Sequence, residues 1–128
     1  MTKEPLKIIS DAMEEMGLEY GLGVYTKNPI VYPYFVGKYQ DFEPTTEDGL
    51  QTSTFTLEGL NRHELLPLEN AKEKIAQYFD SISGKTVITD NGSGVAVFFA
   101  GALIAPTVDA ELKRIQINLN VKEWKVNK

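Results

Sequence analysis

Two stretches of this chain alternate with a strict period of two, and that pattern constrains the fold more than any other feature. Ile115, Ile117, Leu119 and Val121 are interleaved with Gln116, Asn118, Asn120 and Lys122. Between Gln51 and Gly59, Thr52, Thr54 and Thr56 fall on one side while Ser53, Phe55 and Leu57 fall on the other. Successive side chains of a strand point to opposite faces, so each stretch predicts a strand with one dry and one wet face. From Val121 to Trp124 the phase is lost, because Lys122 and Glu123 are both polar, and a bulge or strand end is expected there.

The remaining elements arrange themselves around these strands. Leu6, Ile9, Met13 and Met16 recur at three- and four-residue steps between Pro5 and Gly17, which predicts a helix from about Pro5 to Met16. The glycine- and proline-rich stretch from Leu18 to Pro33 reads as loop with one short strand at most, although Leu18, Tyr20, Leu22 and Val24 alternate. Tyr34 to Phe42 is a strand by composition, and with Gln51 to Gly59 it forms a hairpin across Pro44 and Glu47-Asp48-Gly49. Pro67 opens a second helix whose stripe is Leu68, Ala71, Ile75, Phe79 and Ile82, ended by Gly84. Thr86 to Asp90 and Val95 to Ala100 flank Asn91-Gly92, the strongest short hairpin signal. Val95 to Ala100 is apolar on both faces, so it is expected at the sheet centre, with helices on one side and another subunit or element on the other.

The expected fold is therefore α+β: two helices packed on a mainly antiparallel sheet, in the order α-β-β-α-β-β-β, as one domain over residues 1–128. Thirteen basic against 18 acidic residues leave a net charge of −5, which argues against duplex DNA, sequence-specific nucleic-acid binding or an anionic membrane. The N-terminal segment has no apolar run between its charges, so neither a signal peptide nor a membrane span is expected.

Patterns that carry chemistry are each missing a part. There is no cysteine, and the one histidine, His63, sits in a polar loop, so no catalytic residue, cofactor or metal site is expected. Asp90-Asn91-Gly92-Ser93-Gly94 lacks the lysine and following helix of a phosphate cradle and reads as a turn. Asp41, Glu43, Glu47 and Asp48 fail the spacing of a calcium loop, with Thr46 and Thr52 where glycine and a bidentate glutamate are needed. A solvated hairpin tip is the plainer reading of that run. A carboxylate-dependent small hydrolase, using residues such as Glu43 and Glu47, stays open as a distant alternative.

What stands out instead is a set of aromatics, Tyr32, Tyr34, Phe35 and Tyr39, joined by the lone Trp124. Such residues anchor protein interfaces. Core packing is the competing account of each, and the stronger one for Phe35.

In length, element order, the Ile30-Val31-Tyr32-Pro33-Tyr34-Phe35 entry to the first strand and the closing KRIQINLNVKEW strand, the chain resembles the tail terminator, or tail completion, proteins of long-tailed bacteriophages and prophages. That resemblance implies a non-enzymatic virion component assembled in the bacterial host cytoplasm. It would form a ring, six-fold in the family's usual form, that caps the tail tube and meets the head connector. A ring of subunits each carrying −5 would let DNA pass without sticking. The partners implied are copies of the chain itself, tail tube proteins and head connector proteins. Glu47 and Asp48, at a tip that can project from the ring, join the aromatics as candidate contacts. A head-tail adaptor or another minor tail protein is the neighbouring alternative.

Overall fold

A computed structural model describes residues 1–41, 50–88, 92–105, 107 and 109–124. The elements are α1 (Lys3–Glu15), β1 (Glu19–Leu22), β2 (Tyr34–Asp41), β3 (Leu50–Arg62), α2 (Leu66–Tyr78), β4 (Lys85–Ile88), β5 (Gly94–Ala105) and β6 (Leu112–Trp124). They form one six-stranded sheet in the order β1-β2-β3-β6-β5-β4, antiparallel throughout except for the parallel β1–β2 pair. The α+β class and the two helices stand as expected, and the order gains one strand, β1.

Both helices pack on the same face of the sheet. Ile9, Ala12 and Met13 of α1 and Leu68, Ala71 and Ile75 of α2 share one core with Phe35, Phe55, Leu57, Val95, Val97, Ile115, Ile117, Leu119 and Val121. The alternation of β3 and β6 supplies this face, because every second residue points beneath the helices. Gly37 and Gly59 belong to the same face, and each is small because a neighbour fills the space of a side chain: Phe55 at Gly37, Phe35 and Leu68 at Gly59.

Several expectations change. β5 is apolar but not central; the middle of the sheet is the β3–β6 pair, whose thirteen registered positions run from Leu50↔Trp124 to Arg62↔Leu112. β6 keeps its phase to Trp124, since Glu123 occupies the inward position where an apolar residue would be read. Its Oε1 accepts from the backbone N–H and the hydroxyl of Thr2, the residue that begins α1, so the carboxylate sits at the positive end of a helix. The register shift lies instead in β5, between Phe99 and Ala102.

Helix α2 ends at Tyr78, and Ile82, read as part of its stripe, is 89% exposed. Asp80 explains the break, because its carboxylate accepts from the N–H groups of Ile82 and Ser83 and so rewards a turn over another helical step. β4 and β5 pair as the Asn-Gly signal predicts, with Ile88 opposite Gly94; Asp90 and Asn91 lie outside the described residues.

Candidate docking surface

Opposite the helices, the sheet shows a face that no described element covers over most of its width. Thr52, Thr54 and Thr56 of β3 run beside Lys122, Asn120 and Asn118 of β6. Asn118 accepts from Thr56 at 3.3 Å and from Gln116 at 3.2 Å, so hydroxyls and amides satisfy one another across the strands. Glu58 is held by Lys38 at 2.7 Å and Arg114 at 2.8 Å. Partial burial works to raise its pKa, and the two cations outweigh that and hold the carboxyl below its ordinary range. Lys38, Tyr39, Gln40, Thr54, Thr56, Glu58 and Gln116 line a shallow hollow of about 290 Å³ on this face.

One corner of the face is aromatic. Tyr34, at the start of β2, stacks on Tyr25 with ring centres 4.5 Å apart and planes 10° from parallel. Tyr32 lies 5.6 Å from Tyr34, its ring tilted 48° to it. The Arg62 guanidinium stands over the Tyr32 ring at 5.8 Å and its Nε donates to the Tyr32 hydroxyl at 3.4 Å. Glu19 ties the group to β1, accepting from Tyr25 at 3.0 Å and from Lys27 at 2.7 Å. Those two hydrogen bonds, Lys27 first, lower the Glu19 pKa, whereas burial raises that of Tyr34. In the same segment between β1 and β2, Val24, Ile30 and Val31 are exposed. A pre-stacked aromatic pair loses little rotamer freedom when a partner covers it.

The other sequence-predicted contacts do not join this corner. Phe35 is fully buried in the core, where it packs and meets no surface. Tyr39 is half-exposed, further along β2 opposite Phe55. Trp124 lies opposite Leu50, ten positions along β3 from Leu60, the partner of Tyr34, or about 33 Å at the usual strand rise. There it borders Gly94 with Ile88, which is also exposed, so it forms a second, smaller apolar spot. Glu47 and Asp48 lie outside the described residues. His63 is exposed between β3 and α2, in the left-handed region with φ 68°, its N–H bonded to Glu111 O.

Sequence reasoning missed Tyr25 and Arg62. The signal available was the alternation through Tyr20 and Leu22, which makes Glu19–Leu22 a strand and turns the chain back so that Tyr25 meets Tyr34. No protein-family model matches the chain, and no curated protein matches it.

Proposed function

We propose that this chain is a non-enzymatic structural subunit of a long-tailed phage or prophage, a tail terminator or completion protein that forms a ring on the tail tube and joins it to the head. The observation that carries the docking part is the Tyr25–Tyr34 stack, with Tyr32 tilted against Tyr34 and Val24, Ile30 and Val31 exposed in the connecting segment between β1 and β2. An apolar aromatic patch of this kind, tied in place by Glu19 and Arg62, is what an interface hot spot needs and what a free surface does not. The phage assignment rests on the resemblance in element order and closing strand. On this reading the protein belongs to the virion and is assembled in the bacterial cytoplasm.

The test combines oligomer measurement with function. Native mass spectrometry should find ring-sized species, and the purified chain added to growing tail tubes should fix their length in electron micrographs. Tyr34→Ala should weaken tube or connector binding while leaving the circular dichroism spectrum unchanged. A chain that stays monomeric and leaves tube length untouched would overturn the reading; binding to the connector alone would replace it with the adaptor role.

A further inference from the structure

The two edges of the sheet are stepped, and β1 on one edge matches the bare part of β5 on the other. On one edge β1 covers β2 only from Tyr34 to Gly37, so the outer side of Lys38–Asp41, away from β3, faces no described strand. On the other, β4 covers β5 only from Gly94 to Val97, and the Phe99 N–H is taken by the Phe79 carbonyl. From Ala100 to Ala105 the outer side of β5 then faces no described strand. Unpaired edges are normally blunted by charge, proline or brevity. This one, Ala100-Gly101-Ala102-Leu103-Ile104-Ala105, carries no charge, and Leu103 and Ile104 are 49% and 61% exposed.

Following the register across the sheet shows what fits there. Leu22 shares a row with Gly37, Leu57, Ile117 and Ala102. In the same way Gly21 is level with Leu103, Tyr20 with Ile104, and Glu19 with Ala105. The four residues of β1 thus stand at the same height as the four registered positions left bare on β5. Lys85, the first residue of β4, is level with Asp41, the last of β2.

We infer that copies of this chain join edge to edge, with β1 of one copy laid antiparallel along Ala102–Ala105 of the next. β1 and β4 then share one column between the β5 of one copy and the β2 of its neighbour, with the rows of Lys38, Tyr39 and Gln40 between them. Both run in the direction that column requires, since β4 is antiparallel to β5 and β1 is parallel to β2. Lys85, which has no carboxylate partner among the described residues, comes abreast of Asp41 in the neighbouring copy. Leu22, Leu103 and Ile104 are covered together. The contact is heterologous, one edge meeting the other, and such contacts close into rings when the rotation allows. The inference deepens the ring reading above and rests on it for the identity of the second chain as another copy.

The absence of cysteine gives a clean test. Directly opposed antiparallel residues have a Cα separation that a disulfide tolerates. Under mild oxidation the Leu22→Cys/Ala102→Cys double variant should form covalent ladders between copies, and neither single variant should. A second variant, Leu103→Lys, should reduce oligomer at least tenfold by native mass spectrometry while the thermal unfolding of the monomer stays put. Cross-linking by Ala102→Cys alone would mean that like edges pair and would overturn the inference. Intact oligomers with no cross-link would overturn it and leave the ring reading standing. Cross-links made only to tail tube protein would give the edge a different occupant and overturn it too. A strictly monomeric chain would overturn both readings.

Discussion

Replacing Gly59 with alanine probes the packing that sets the whole helix layer. A Cβ at this position would stand 2.5 Å from Phe35 Cε1, 2.9 Å from Ile115 Cγ2 and 3.0 Å from Leu68 Cδ2. The three neighbours belong to β2, β6 and α2, and all are fully buried or nearly so, so moving one away drives it into another. Overpacking of this kind costs about 1–3 kcal/mol. Alanine returns about 0.5–1 kcal/mol by restricting the unfolded chain, so mid-range values leave a net loss of about 1.25 kcal/mol. At roughly 2.1 cal/mol/K per residue of unfolding entropy, a chain of 128 residues loses about 4 °C of Tm per kcal/mol, which puts the shift at about 5 °C. Urea unfolding followed through the lone Trp124 measures it, and a cycle with Leu68→Ala assigns it. If the clash is with Leu68, the double variant should be less destabilised than the sum of the singles by at least about 0.5 kcal/mol. A variant as stable as the parent, or strict additivity with both Leu68→Ala and Phe35→Leu, would refute the placement of α2 against β3.

Three further outcomes follow from two single groups. The Tyr20 hydroxyl is buried with no partner among the described residues, so Tyr20→Phe should be neutral or stabilising by up to about 1 kcal/mol in urea; a loss of that size would show that the hydroxyl has one. Burial pushes the same phenol from 10.0 up to about 12, so the folded state keeps its proton longer than the unfolded one. Stability should therefore fall as pH rises from 10.0 towards 12, and Tyr20→Phe should remove that part of the alkaline loss. Glu58 has the opposite sign: its folded pKa lies below the ordinary 4.5, so its contribution is present above that value and lost as pH falls through the folded pKa. Glu58→Gln should flatten the acid limb of the stability curve, and an unchanged limb would show that Lys38 and Arg114 do not stabilise the carboxylate.

The core was legible where burial and hydropathy agree. Phe55, Leu57 and the Ile115–Val121 series point inward as their alternation requires, and the helix ends follow Pro5 and Gly17 within two residues. It was illegible at Glu123, because the group that makes an inward carboxylate tolerable, Thr2, lies 121 positions away. Ile82 misled because hydropathy continues the stripe while Asp80 bends the backbone out of it. Seven aromatic, acidic and indole contacts cannot be sorted by composition alone: register puts Tyr34 and Trp124 at opposite ends of the sheet, and only the fold brings Tyr25 to Tyr34. The stepped edges are a property of register, which no local window contains.

The β3–β6 ladder also imposes an order of events. Its partners are separated by 50 positions at Arg62↔Leu112 and by 74 at Leu50↔Trp124, so the middle of the sheet cannot form in full until the chain has been made through Trp124. The bare half of β5 has β6 as its one strand neighbour among the described residues, and before β6 arrives it has nothing to hold it extended. A nascent chain therefore offers no ready template to its neighbours on a crowded polysome. The surface through which copies would recognise one another comes into being when β6 pairs with β5, which makes that pairing the licence to assemble.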